Sequence, residues 1–270
     1  LPTLDESGAD VRYLRTMDDA TALRADLSGS ILVVGAGWIG LEVAAAAREA
    51  GAAVTVVESA PLPLGAVLGP ELATVFADLH REHGVDLRLA TSLASVDHTG
   101  GRTTSPPHPS DRTPAGGWAT DNGVLVNSRL RASDPHVFAA GDVARQDHPL
   151  LGPIRVEHWD TAIHQGRHAA RVMLGEDAAY DRQPYFFTDQ YDLGMEYVGH
   201  TGRGYDEVVV RGDRASRVLT ALWVKDSRVV AGMHLNDWDA IDPIRTWVGR
   251  PATPQLRDTS IALADVPLVD

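Results

Sequence analysis

The chain has 270 residues, 24 basic against 37 acidic side chains, a formal net charge of -13 and no cysteine. An acidic balance with no lysine- or arginine-rich run removes the counterion-release term of non-specific nucleic-acid binding, so DNA and RNA are excluded as partners. Without cysteine there is no disulfide, thiolate metal site or redox dithiol within this chain, and redox chemistry in it must use a bound cofactor. Lys225 is the sole lysine, so no P-loop GK pair exists. No apolar run reaches the ~18 residues of a membrane span, and no signal segment is visible. The expected address is therefore cytoplasmic. The polar opening LPTLDESGAD, without an initiator methionine, reads as a chain that starts partway into something.

Residues 11 to 27 predict a first helix, with Asp18 and Asp19 suited to its N-terminus. Ile31 to Val34 is a continuous apolar run of the kind that fills a parallel strand covered on both faces. GAGWIG follows, then an alanine-rich helix from 39 to 50, then a second apolar strand, Val54 to Val57. A loop from Ala60 to Pro70 leads to a helix near 71 to 83. Leu87 with Leu89, and Leu93 with Val96, suggest short strands. Residues 98 to 120 hold four prolines and four glycines and read as disordered or as a long loop. Order resumes at Val124 to Val126 and at Val137 to Ala139, before Gly141 and Asp142, and a helix is expected from Trp159 to Leu174. Alternating runs at 195–199, 206–211, 217–224 and 228–235 predict an antiparallel sheet, and a helix is expected over 237 to 248 with Asp237 and Asp239 at its start.

Glycines at 35, 37 and 40 alone would be weak evidence of a nucleotide site. Here they follow a buried strand, open a helix and precede a second strand that ends in Glu58, 18 residues past Gly40. In that context Gly35 permits a tight turn, Gly37 lets the backbone approach a pyrophosphate, and Gly40 lets helix and strand pack closely. Ala36, Trp38 and Ile39 complete the loop, whose helix N-terminus offers amide donors to phosphate. Glu58 is placed to accept the ribose hydroxyls of an adenosine. A carboxylate there repels a 2′-phosphate, which favours NADH over NADPH. A single-domain short-chain dehydrogenase is excluded, because the position four before Lys225 is Ala221 and the Tyr-x-x-x-Lys pair cannot be built.

These residues resemble the FAD-dependent, NADH-dependent ferredoxin reductases of the putidaredoxin and rubredoxin reductase type, within the pyridine nucleotide-disulfide oxidoreductases. GAGWIGLEVAAAAREAGAAVTVVE is similar to their nicotinamide-binding motif. HVFAAGDVA is similar to their late flavin motif, in which Gly141 and Asp142 would contact FAD. VEHWDTAIHQG resembles the segment that places an aromatic residue, here Trp159, beside the flavin. YFFTDQYD, with Phe187, resembles the entry to a small interface domain. The implied fold is α/β: a Rossmann-type NAD-binding domain over 1–97, a disordered or irregular loop over 98–122, a remnant of the FAD-binding domain over 123–179, and a C-terminal α+β interface domain over 180–270. The implied function is electron transfer from NADH through FAD to an iron-sulfur ferredoxin of a P450 or oxygenase system, with the cofactor carrying the chemistry. Glu42 matches a family glutamate near nicotinamide and flavin. The alternative is a non-catalytic NAD(H)-binding remnant that holds no flavin.

The sequence also departs from that family. The first FAD-binding GxGxxG is not found, and three domains of ~130 residues would need about 390. The strand and turn that rejoin the two nucleotide domains are not found near 98 to 120, where a shifted reading frame would explain the composition. Leu62 stands where the family commonly has arginine. His158, His164 and His168 fall on one expected helix, yet without HExxH they carry no expectation of a metal. An arginine cluster of Arg214, Arg217 and Arg245 is the expected contact for an acidic ferredoxin.

Overall fold

A computed structural model describes residues 4, 7, 9–93 and 119–269. It divides into two compact units, one of Leu1–Pro114 with Gln190–Asp192, the other of Ala115–Asp189 with Leu193–Asp270. The fold is mixed α/β, with one parallel, one mixed and one antiparallel sheet. Among the described residues no helix is long and apolar enough to cross a membrane.

The first unit opens with α1 (Met17–Ala25), closed by a reciprocal capping box. Asp19 N–H donates to the Thr16 hydroxyl at 3.1 Å, and Thr16 N–H donates back to the Asp19 carboxylate at 2.8 Å. Strands β1 (Ser30–Val34), β2 (Ala53–Val57) and β3 (Asp86–Arg88) form a parallel sheet in that order. Between them run α2 (Trp38–Glu49), the single turn α3 (Gly65–Leu68) and α4 (Pro70–Glu82). Parallel strands in the order β1-β2-β3, joined by crossovers of the usual right hand, put α2 and α4 on one face of the sheet. Trp38 meets Phe76 edge-on at 5.7 Å between those helices. Arg48 of α2 donates to the His83 carbonyl at 2.9 Å and also to that of Ala52, holding the C-terminal ends of both helices.

The covered-on-both-faces expectation for β1 is corrected by this arrangement. Val33 lies under Gly40 of α2, but Leu32 is 50% exposed and Val34 37% exposed, because no described element of the first unit covers the face opposite the helices. Leu93 lies outside any strand, and Val96, like residues 98–118, falls outside the described residues.

In the second unit β4 (Val124–Val126) pairs parallel with β5 (Ala144–His148), which pairs antiparallel with β6 (Gly152–Arg155). The strand expected at 137–139 is reduced to a single bridge between Arg131 and Phe138. Strand β5 was invisible to hydrophobic periodicity because its inward residues are polar. Gln146 donates to the Tyr180 carbonyl at 2.6 Å, and His148 faces the Arg182 carbonyl at 3.2 Å while its Nδ1 accepts from the Leu150 and Leu151 amides. Helix α5 (Trp159–Met173) follows.

Strands β7 (Tyr185–Gln190), β8 (Leu193–Gly199), β9 (Glu207–Asp213), β10 (Val218–Lys225) and β11 (Arg228–Leu235) form the antiparallel sheet, ordered β7-β8-β11-β10-β9. Asp226 and Ser227, both with positive φ, make the two-residue hairpin between β10 and β11. Helix α6 (Ile241–Trp247) starts four residues later than expected. Its N-cap is Ala240, so neither Asp237 nor Asp239 caps it. Leu222, Ile244, Trp247 and Leu256 belong to one buried cluster, which also takes in Ile154 of β6. The buried guanidinium of Arg211 donates to the carbonyls of Leu256 (2.7 Å), Asp258 (3.0 Å) and Ile261, tying the C-terminal segment to β9.

Candidate nucleotide and flavin sites

At the end of β1 the chain turns through Gly35 with φ +101°, and the Gly35 amide donates to the Val57 carbonyl at 2.8 Å. Gly40 is the tightest point: a Cβ there would lie 2.1 Å from the Gly35 carbonyl oxygen. Only glycine lets α2 start this close to the strand it follows. Around Gly35 and Gly37 the opposite holds, since an added Cβ would meet nothing within 4 Å. The loop therefore leaves open space over the first turn of α2, whose leading amides have no intrahelical acceptor. Gly37 is the N-cap and contributes no side chain to them. That combination fits a pyrophosphate.

Glu58 closes the loop from the end of β2. Its carboxylate accepts from the Ala36 amide at 2.7 Å, the Ala60 amide at 2.8 Å and the Ser59 hydroxyl at 3.1 Å. Burial pushes this carboxyl up, but the amide and hydroxyl donors outweigh it and hold it below the usual carboxylate range. Glu58 is thus ionised and braces the glycine loop, with lone pairs left for ribose hydroxyls. Ala36 is buried beneath it, Ile39 is 58% exposed, and Glu42 is exposed on the first turns of α2.

In the second unit, the Gly141–Val143 turn packs against α5. Gly141 has φ +73°, and a Cβ on it would meet the Ala162 Cβ at 3.1 Å. Its amide donates to Gln165 Oε1 at 2.8 Å; Gln165 donates in turn to Gln146 at 3.2 Å. This buried amide chain fixes Asp142 near the N-terminus of α5. His158 caps that helix, its Nδ1 accepting from the Asp160 amide at 3.3 Å. Burial lowers the His158 pKa against the opposing pull of Asp160 and Asp142. Asp160 is itself buried and held by Arg182 at 3.1 and 3.4 Å.

Beside this turn lies a wall of uncovered rings. Trp159 is 56% and Phe187 39% exposed, in edge contact at 6.1 Å, and His158 lies 6.0 Å from Phe187. Large aromatics left bare next to a helix N-terminus fit a planar ligand with an anionic or hydroxylated tail. Gly141, Asp142, Trp159 and Phe187, found in three separate stretches of sequence, are assembled here. Sequence reasoning missed Gln165, His158 and the Asp160–Arg182 pair, which hold the turn and helix in place. Their partners lie 2 to 24 residues away and follow no period.

The three histidines do not converge on a metal. His158 is a helix cap, His164 faces Asp160 at 3.4 Å, and His168 faces the Ala178 carbonyl at 3.1 Å. Among the described residues no group of three or more ligating side chains is placed to hold an ion. The expected arginine cluster is corrected. Arg214 and Arg217 lie in the turn between β9 and β10, whereas Arg245 sits 4.7 Å over the Tyr185 ring of β7. Strand β7 is one edge of the five-stranded sheet, and the β9–β10 turn belongs to the other edge strand and its neighbour.

A profile of the pyridine nucleotide-disulphide oxidoreductases matches residues 1–166, and one of reductase C-terminal domains matches residues 185–267. The chain is 36% identical to a ferredoxin–NAD(P)(+) reductase from Sphingomonas sp., over 84% of this chain and 61% of the relative. It is 35% identical to the ferredoxin–NAD(+) reductase component of the anthranilate 1,2-dioxygenase system of Burkholderia cepacia, over 96% of this chain and 70% of the relative. Among solved structures, the covalent putidaredoxin reductase–putidaredoxin complex superposes with a TM-score of 0.87 at 29% identity, covering 97% of this chain and 70% of that one. The chain thus spans less than two thirds of the Sphingomonas reductase.

Proposed function

The chain belongs to the pyridine nucleotide-disulphide oxidoreductases, and from that premise we propose that it serves as the NADH- and FAD-dependent reductase of an iron-sulfur ferredoxin in a P450 or oxygenase system. The observation that carries this is the pairing of two sites of different character. One is an open glycine loop closed by an ionised Glu58. The other is an aromatic wall beside the Gly141–Asp142 turn.

Gly35, Ala36, Gly37, Trp38, Ile39 and Gly40 would bind the dinucleotide pyrophosphate through backbone amides, and Glu58 would accept ribose hydroxyls. The charge on Glu58 selects NADH by repelling a 2′-phosphate. Gly141, Asp142, Trp159 and Phe187 would hold FAD, with the Asp142 carboxylate available to accept from hydroxyls and the two rings available to exclude water. Bound FAD supplies the step from a two-electron hydride donor to one-electron output. No side chain need act as nucleophile, and Glu42 is assigned to the nicotinamide side.

The domain reading we adopt is nucleotide binding in 1–97, the C-terminal part of an FAD domain in 123–179 and the interface domain in 180–270. The protein is assigned to the cytoplasm, where NADH is available. The test is to record the visible spectrum of the chain with added FAD and then titrate with NADH under anaerobic conditions. A flavin band that bleaches with NADH and recovers on adding an oxidised iron-sulfur ferredoxin is the expected result. NADH binding with no flavin uptake would overturn it in favour of a nucleotide-binding protein without catalysis.

A further inference from the structure

Three strands of the antiparallel sheet are tied together by one carboxylate. Glu196 of β8 stands directly across from His234 of β11 in the ladder, and His234 Nε2 lies 2.7 Å from Glu196 Oε2. His234 is fully buried, and its Nδ1 accepts the Asp237 amide at 3.3 Å. With Nδ1 committed as acceptor, Nε2 carries the proton and donates to Glu196. The other carboxylate oxygen, Oε1, accepts from the hydroxyl of Tyr185 on the neighbouring edge strand β7. Arg245 covers the Tyr185 ring from α6, and the same ring lies 6.4 Å from Phe187, two residues along β7.

An edge strand is held by ladder bonds on one side only, so its side chains need another anchor to keep a fixed orientation. Tyr185 and Phe187 are on the same side of β7 by strand alternation. Phe187 in turn meets Trp159. Every other member of this wall is exposed or half-exposed; the only buried group in the series is His234. We infer that Glu196 is a positioning residue for the aromatic wall: its carboxylate, anchored on buried His234, fixes Tyr185 and thereby the ring of Phe187 that a flavin would rest beside. This inference rests on the flavin reading given above. Burial and the Glu196 contact both raise the Tyr185 pKa, as expected for a phenol that stays protonated and keeps donating.

Substitution at both ends of the Tyr185–Glu196 bond tests the inference. Tyr185→Phe removes only the hydroxyl and leaves the Glu196–His234 pair intact, so folding is preserved. Glu196→Ala removes the anchor. Glu196→Gln can accept from His234 and donate to the Tyr185 oxygen, restoring the link without charge. The expected result, from FAD titrations followed by flavin fluorescence quenching, is a loss of about tenfold in affinity for the first two variants, the size of one lost aromatic contact, and near-wild-type affinity for Glu196→Gln. The thermal midpoint of Tyr185→Phe should stay near wild type, which a merely structural role would not reconcile with weaker flavin binding. Tyr185→Phe binding FAD as tightly as wild type overturns the inference. If the wild-type chain takes up no FAD, the flavin reading fails separately. Amide hydrogen exchange then decides the positioning role: Tyr185→Phe must raise exchange over Tyr185–Gln190 and leave β10 unchanged, and equal exchange in both proteins overturns it.

Discussion

Strands β1 and β10 are both built from apolar residues, yet they live in different surroundings. Not one of the five residues of β1 is buried, whereas Leu219 to Val224 of β10 are all buried. The first strand sits at the edge of a three-stranded parallel sheet with helices on one face. The second is flanked by β9 and β11, and residues of its face pack on α6 and the C-terminal segment. Apolar composition therefore reports what a strand can bury, and the layers around it decide what it does bury.

That contrast can be broken most sharply at Trp247, which is 1% exposed within the core of the second unit. Trp247→Ala should cost about 3–5 kcal/mol, read from urea unfolding followed by near-UV circular dichroism. Next in size is the glycine loop of the first unit. Gly40→Ala drives a methyl into the Gly35 carbonyl and should cost about 1–3 kcal/mol together with NADH binding. Gly37→Ala meets no atom, so its thermal midpoint should hold while NADH affinity, measured by calorimetry, falls roughly tenfold or more as the methyl fills the space left for phosphate. Unchanged affinity in Gly37→Ala would mean that the open space is not the phosphate site.

Acid separates the units by a smaller margin. His80 in the first unit, and His148, His158 and His200 in the second, all have pKa values lowered by burial. At pH below about 6.5 the unfolded chain takes up protons that these folded sites refuse, so stability falls as pH falls. With three such groups against one, the second unit should lose protection faster between pH 7 and 5, as measured by hydrogen exchange resolved by segment. The smallest effect is expected at Leu32: Leu32→Ser on the uncovered face of β1 should change stability by less than about 0.5 kcal/mol in thermal melts.

Much of the nucleotide loop was legible because its requirements are local. The Gly35–Gly40 spacing, the preceding apolar run and Glu58 lie within one βαβ stretch, and periodicity placed α2, α4, α5 and four of the five strands of the antiparallel sheet. What escaped was polar and buried. Strand β5 turns Gln146 and His148 inward, Gln165 reaches back 24 residues to Gly141, and Glu196 crosses to His234, 38 residues on. None of these leaves a hydrophobic signature, since each is satisfied by a partner that only the folded chain brings near.

The sequence by itself determined the α/β class, the glycine fingerprint with its acidic terminus, and the lack of a thiol in these 270 residues, because those rest on residue type and short spacing. Only the tertiary structure decided that β1 is half bare, that Arg245 and the Arg214–Arg217 turn stand at opposite sheet edges, and that Asp142, Trp159 and Phe187 meet at one end of α5. Those depend on which layers and strands become neighbours, and sequence distance carries no measure of that.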